Sequence, residues 1–257
     1  MTALISAFAR AWHAGHVTVP VYRDTLAERL LGPDYAAVAG HMAAGAAYFL
    51  PGFQGTQEEA LQQIVCRQLA PSPLGRAAFC EEHLRAAAAA GCTQYLLLGA
   101  GYDTLPYRQP EWLQGMTILE LDHPVTAADK LARLNRAGIA VPENVIRLSA
   151  DLTDPAWPGV LLKCPGFRRD APTFVSLLGL VYYLPSEAFT ALLGTLAGTF
   201  CGIVTSSRLT TYRIEQLEKK VSRHKSVIER TYILEGQMTE AQHDIRDLKS
   251  AVKPGPQ

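Results

Sequence analysis

The stretch from Gln94 to Pro124 constrains the fold more than any other part of this chain. An apolar run at 95–98 ends in the turn sequence Gly-Ala-Gly-Tyr-Asp-Thr, and a second apolar run at 118–122 ends in an acid. Doubly wound α/β folds hold a nucleoside with a buried strand that feeds a glycine turn and, about twenty residues later, an acid that closes a second strand. The sequence therefore predicts a parallel sheet that binds an adenosine-containing ligand.

The glycine turn also indicates which ligand. The third glycine of the dinucleotide pattern Gly-x-Gly-x-x-Gly is replaced here by Thr104, and Asp103 precedes it. That third glycine lets a helix pack closely beneath a pyrophosphate, whereas a carboxylate there repels phosphates. S-adenosylmethionine suits the acid better, because it carries an ammonium and a sulfonium where NAD carries its pyrophosphate. Gly99 and Gly101 would let the backbone approach such a ligand; the alternative is that they only form a tight turn.

Five sequence blocks carry a resemblance to a known family. In order and spacing, these blocks resemble the leucine carboxyl methyltransferase family, including its bacterial polyketide O-methyltransferase branch, over roughly residues 3 to 200. The resemblance implies a class I methyltransferase fold with a Rossmann-like parallel sheet, N-terminal helices, and S-adenosyl-L-methionine as cofactor. The blocks are 19–33 and 76–84 in the N-terminal helices, then 95–108, 120–124 and 177–184.

The resemblance implies residues for the amino-acid end of the cofactor. Arg76 matches the arginine that pairs with the methionyl carboxylate, a role suited to a planar two-pronged donor. The alternative for Arg76 is a solvated helix arginine. Gly99, Ala100 and Gly101 would lie beneath the methionyl part, and Asp103 would lie nearby.

The adenosine end is expected at the ends of the next two strands. Asp122 is the favoured acceptor for both ribose hydroxyls, and Glu120 is the alternative, which would otherwise orient the loop. Asp151 and Leu152 follow the third strand, where the family contacts the adenine amino group, although Asp151 could instead cap a helix. The sequence departs from many relatives at Leu178, where they carry a glutamate that contributes one cofactor contact.

The methyl acceptor is less well specified. Methyl transfer from a sulfonium depends chiefly on alignment; a carboxylate acceptor needs no general base at neutral pH, whereas a phenol needs one. No catalytic residue is identified. His41, His83 and His123 qualify as bases only by residue type, and His123 fits a structural turn better. Tyr182 and Tyr183 are candidates for the acceptor pocket, with a core position as the alternative.

Length and composition fit one α/β domain with an appendage. The chain has 257 residues, of which 48% are hydrophobic, and a formal net charge of zero, so nothing indicates nucleic acid. No apolar run reaches the roughly 18 residues that cross a bilayer, and the five scattered cysteines suggest neither disulfides nor zinc. We expect a soluble cytoplasmic protein that acts on a small molecule without a metal.

The pattern of apolar residues predicts two parts within the first 207 residues, which would form the methyltransferase domain. Residues 1–90 are predicted to be helical, and 94–206 alternate short apolar runs with helical stretches, which is typical of βαβ units. The clearest helices are 126–137 and 186–199. Strands are predicted at 94–98, 117–121, 145–148, 172–178 and 202–205.

The composition changes abruptly at Arg208. Sixteen of the 42 residues from there to Lys249 are charged, against 31 of the first 207. Apolar residues recur at heptad steps, which predicts a coiled-coil or long amphipathic helix over 208–250 that could join copies of the chain; a helix docked on its own domain is the alternative. Residues 251–257 are expected to be disordered. The final strands implied by the resemblance are expected to be missing, because this tail follows the fifth predicted strand.

Three functions follow from these observations. The expected one is an S-adenosylmethionine-dependent O-methyltransferase acting on a carboxylate or hydroxyl of a small metabolite. The first alternative is a non-catalytic coiled-coil assembly protein that carries a truncated methyltransferase body. The second is a nucleotide-dependent oxidoreductase, against which Asp103 and Thr104 argue.

Overall fold

The computed structural model describes residues 2–18 and 20–200, with side chains to residue 198. All of these residues belong to one unit that ends at Gly202. The predicted fifth strand at 202–205, the coiled-coil helix at 208–250 and the tail at 251–257 lie outside the described residues. The domain boundary near residue 207 and the oligomerising role of the tail therefore stay predictions.

The N-terminal region is helical, as the sequence predicts. Pro33 and Pro71 each stand in the first turn of a helix, where the missing N–H has no partner to lose. Thr56 and Glu59 form a reciprocal capping box at the start of another helix. The elements are α1 (Thr2–His16), α2 (Ala27–Leu31), α3 (Pro33–Ala44), α4 (Ala46–Phe49), α5 (Gln57–Ile64), a π-helical turn (Val65–Leu69) and α6 (Pro71–Ala89).

A parallel four-stranded sheet follows, in the order β3-β2-β1-β4. Leu98, at the end of β1, stands opposite Leu121 on one side and Leu177 on the other. All five residues of β1 are buried, as expected for a central parallel strand covered on both faces. The α/β prediction is confirmed, and the strands are β1 (Gln94–Leu98), β2 (Thr117–Asp122), β3 (Val145–Ser149) and β4 (Thr173–Leu177).

Helices and short turns connect the strands. The helix after β2 begins at Pro124, two residues before the predicted start, because proline is tolerated at the first helical position. His123 Nδ1 accepts a hydrogen bond from Val125 N–H at 3.3 Å, so this ring has the structural role expected for it. The elements are α7 (Leu105–Arg108), a 3₁₀ turn (Glu111–Leu113), α8 (Pro124–Arg136), α9 (Trp157–Leu162), a 3₁₀ turn (Val181–Tyr183) and α10 (Ser186–Phe200).

Alternate residues of β1 point into two different hydrophobic cores. Leu96 and Leu98 pack with Trp157 and Leu192 on the face covered by α9 and α10. Tyr95 and Leu97 pack on the opposite face, with Leu84 of α6. A further core lies within the N-terminal helices. Helices therefore cover both faces of the sheet, and none of those in the described part of the chain is long and apolar enough to cross a bilayer.

Candidate functional site

A cavity of about 490 Å³ lies at the carboxyl ends of β1, β2 and β4. Its walls come from the turns that follow these strands, from the first turns of α1 and from α6. Doubly wound sheets bind their ligands at this edge. Of the residues predicted for the site, the structure brings Arg76, Gly99, Ala100, Gly101, Asp103 and Asp122 together on the cavity wall.

The glycine turn after β1 has the backbone that the sequence predicts. Gly99 has φ +65° and Gly101 has φ +48°, a region that other residues rarely adopt. A Cβ atom on Gly99 would lie only 2.7 Å from Leu180 Cδ2. Gly99 is therefore required both by its dihedral angle and by the packing of the turn that follows β4.

Asp122 and Asp103 place two carboxylates on the cavity wall. Asp122 accepts hydrogen bonds from the backbone N–H of Gly101 at 2.5 Å and of His123 at 2.7 Å. Burial raises the pKa of Asp122, and these two N–H groups oppose that rise. Asp103 accepts from the backbone N–H of Leu105 at 2.9 Å at the start of α7. Each of these carboxylate oxygens accepts at most one of these bonds, so lone pairs remain on both side chains for a ligand.

Glu120, the alternative ribose ligand, does not line the cavity. Its carboxylate is buried, accepts a hydrogen bond from Tyr107 Oη at 2.5 Å, and forms an ion pair with Lys130 of α8. Glu120 and Asp122 alternate with Leu121 on β2, but only Asp122 stands at the end of the strand, beside the glycine turn. Of the two acids that the sequence left as alternatives, the structure therefore has only Asp122 on the cavity wall.

Arg76 brings a positive charge to the cavity from α6. Its Nη2 donates to Ser6 Oγ at 3.2 Å, and within residues 2–18 and 20–200 it forms no ion pair with a carboxylate. Burial lowers the pKa of Arg76, and the nearby charge of Arg10 lowers it further. A half-buried guanidinium in this state fits an anionic ligand group.

Sequence reasoning missed a buried network that holds the glycine turn. Arg10 Nε donates to Asp24 Oδ2 at 2.9 Å, and its Nη2 donates to the carbonyl oxygen of Tyr102 at 2.8 Å. Thr104 Oγ1 donates to Asp24 Oδ1 at 2.5 Å. These contacts tie the turn at 99–104 to α1 and to the loop before α2. The only local signal was an arginine within the apolar segment of α1.

Asp151 and Leu152 are not brought to the cavity. The Asp151 carboxylate is exposed and accepts from the backbone N–H and the hydroxyl of Thr153, at 2.8 and 2.7 Å. This is the bonding of an aspartate turn rather than of a helix cap. Leu152 packs in the core beside Trp157. A contact with adenine stays a prediction for both residues.

The segment after β4 completes the wall. Leu178, Gly179 and Leu180 line the cavity, and Leu178 brings no carboxylate there. Tyr182 and Tyr183 also line it and are 88% and 58% exposed, so they are not core residues. His41 and His83 lie elsewhere, and no histidine or lysine lines this cavity in the described part of the chain.

Comparisons with known proteins identify the family of this chain. The family model described as "Leucine carboxyl methyltransferase" matches residues 3–197. A Bacillus subtilis protein named "Putative S-adenosyl-L-methionine-dependent methyltransferase YktD" is 33% identical over 201 residues, covering 76% of this chain and 66% of that protein. A Mycobacteroides abscessus protein named "Putative S-adenosyl-L-methionine-dependent methyltransferase" is 32% identical over 192 residues, covering 73% of this chain and 59% of that protein.

One solved structure, described as "a putative methyltransferase" from Thermobifida fusca, has a TM-score of 0.41 and 20% identity, covering 67% of this chain and 59% of that one. The chain spans two thirds or less of the length of the curated relatives it matches. Since the family model covers well over half of the chain, this protein belongs to the leucine carboxyl methyltransferase family.

Proposed function

We propose that this chain binds S-adenosylmethionine in the cavity at the carboxyl edge of the sheet and transfers a methyl group to an oxygen of a small molecule. The observation that carries the proposal is the arrangement of charge in that cavity. It holds a guanidinium that has no ion pair among the described residues, a glycine turn and two carboxylates, which complement a carboxylate, an ammonium and a ribose. Family membership supports the reaction class.

The methionyl part and the ribose of the cofactor each have a partner in this proposal. Arg76 holds the methionyl carboxylate, because its guanidinium faces the cavity and, within the part of the chain that the structure describes, donates only to the Ser6 hydroxyl. Asp103 faces the ammonium, and the bare backbone at Gly99 and Gly101 leaves room for the methionyl chain. Asp122 accepts the ribose hydroxyls, since it ends β2 beside the turn.

The side chains around the cavity favour a carboxylate as acceptor. Bound S-adenosylmethionine supplies a methyl group activated by its sulfonium. Tyr102, which lines the cavity, cannot readily serve as a base, because burial and the neighbouring Asp129 raise its pKa to about 12. With no histidine or lysine among the described lining residues, that part of the cavity wall offers alignment rather than proton removal. A carboxylate, already ionised at neutral pH, needs only alignment.

Isothermal titration with S-adenosylhomocysteine tests the proposal, after circular dichroism has shown that the protein is folded. We expect saturable one-to-one binding. NAD is the comparison ligand and should not bind detectably, because Asp103 opposes a pyrophosphate at the glycine turn. A folded protein that binds NAD, or that binds neither ligand, would contradict the proposal.

A further inference from the structure

The turn after β4 brings a glycine into contact with the cavity arginine. Gly179 has φ +72°, and a Cβ atom built on it would lie 2.7, 2.8 and 2.9 Å from Nη1, Cζ and Nη2 of Arg76. Real Cβ atoms essentially never come that close to other heavy atoms. Three atoms of the guanidinium plane thus lie against the bare Cα of Gly179. No side chain fits there while Arg76 keeps its position.

Little else in the described residues orients the Arg76 guanidinium. Among these residues its side chain donates a hydrogen bond to Ser6 Oγ at 3.2 Å and forms no ion pair. An arginine side chain has several rotatable bonds and loses considerable freedom when it is held in one position. The flat contact with Gly179 is therefore a principal constraint on where its donors point.

The same turn is fixed on its other side. Leu180 packs against Gly99 so closely that a Cβ on Gly99 would lie 2.7 Å from Leu180 Cδ2. The backbone at Gly179 is thus held between the glycine turn and α6. An added methyl group at position 179 would be accommodated by the free end of the Arg76 side chain, because that end moves more easily than the backbone.

We propose that Gly179 is a positioning residue for Arg76: its bare backbone keeps the guanidinium flat on the cavity wall and so sets the affinity for the carboxylate end of the ligand. This inference rests on the proposed function, in which Arg76 binds the methionyl carboxylate. Gly179 itself need not touch the ligand. Its effect should appear only with ligands that carry the amino-acid group.

Two ligands separate this role from a general effect on the fold. S-adenosylhomocysteine carries the amino-acid group, and 5′-methylthioadenosine lacks it. Gly179→Ala should lower the affinity for S-adenosylhomocysteine by about tenfold or more, the loss expected for a charge-assisted hydrogen bond. It should change the affinity for 5′-methylthioadenosine by less than about twofold. In an Arg76→Ala background, Gly179→Ala should have little further effect on either ligand, because the contact is already gone.

Gly138→Ala is the matched control. Gly138 has φ +62° and nothing within 4 Å of a built Cβ, so the substitution imposes similar backbone strain without touching Arg76. Both affinities should stay unchanged in this variant. If circular dichroism shows that Gly179→Ala is unfolded, Gly179→Asn replaces it, since asparagine tolerates positive φ and still places a Cβ against the guanidinium.

Equal weakening of both ligands by Gly179→Ala would mean that the residue acts through the fold, and the inference would be wrong. Unchanged binding of S-adenosylhomocysteine in Gly179→Ala, together with weakened binding in Arg76→Ala, would also overturn it while leaving the proposed function intact. A folded wild-type protein that binds neither ligand would refute the proposed function, and the inference with it.

Discussion

Replacing Asp24 by alanine should destabilise the N-terminal region strongly. The Asp24 side chain is fully buried and pairs with Arg10 at 2.9 Å. It also accepts from Thr104 Oγ1 and from the first backbone N–H of α2, that of Ala27, at 3.0 Å. Removing the carboxylate leaves a buried guanidinium without its counter-charge, which costs about 3–5 kcal/mol. The free energy of unfolding should fall by that amount.

Urea unfolding followed by circular dichroism measures the loss. With an m-value of about 3 kcal/mol/M, the midpoint should fall by about 1–1.7 M. Burial alone would raise the pKa of Asp24, but Arg10 and Thr104 hold it below its ordinary value. A carboxyl whose pKa is lower in the fold contributes its full stability above the pKa of unfolded aspartate and loses it as pH falls through the folded value. The difference in the free energy of unfolding between wild type and Asp24→Ala should therefore become smaller at acid pH.

The double variant Arg10→Met, Asp24→Leu is the control, because it removes both charges and leaves neither buried alone. It should be more stable than Asp24→Ala, since a matched apolar pair replaces a buried ion pair at little cost. A loss below about 1 kcal/mol in Asp24→Ala, or a double variant that is no more stable, would refute this reasoning about buried charge.

Three further predictions concern the carboxylates near the sheet edge. Lys130→Met leaves Glu120 buried without its cation and should cost about 3–5 kcal/mol in urea unfolding; a loss typical of a surface ion pair would contradict this. Burial raises the pKa of Asp122, so as the pH is lowered the affinity of the wild type for S-adenosylhomocysteine should begin to fall at a pH above the ordinary pKa of aspartate. Asp122→Asn should bind the same ligand weakly and without this pH dependence. A flat wild-type profile would argue against the ribose role. Asp151→Ala should change the same affinity by at most about twofold, because its carboxylate is exposed and bonds Thr153; a tenfold loss would instead indicate an adenine contact.

Local features of the site could be predicted because local sequence determines them. The turn at 99–104 needs residues that adopt positive φ directly after a buried strand, and the glycines there are visible without any knowledge of tertiary contacts. The same holds for Asp122, since an acid that ends a buried apolar run must stand at the carboxyl edge of the sheet. The bounds of the four strands that the structure describes were accordingly predicted to within one residue at each end.

Contacts between distant segments could not be predicted in this way. Arg10 and Thr104 both contact Asp24, although Thr104 lies 80 residues beyond Asp24. No periodic pattern in the sequence predicts such a contact. Glu120 shows the same limit within one strand. Alternation places Glu120 and Asp122 on the same face of the strand, and the contacts of Glu120 with Tyr107 and with Lys130 of α8 distinguish it from Asp122. An amphipathic pattern predicts the helix but places a lysine in solvent.

The strand order has a consequence for how the chain is made. β1 is central, yet its second neighbour, β4, follows about 75 residues later in the chain. At about 5–20 residues per second, a ribosome needs about 4–15 s to synthesise that interval. During that time the edge of β1 that will pair with β4 has a row of backbone N–H and C=O groups without its native partner, which is the condition that favours aggregation. Slower synthesis between β1 and β4 should therefore lower the yield of folded protein without altering the native state.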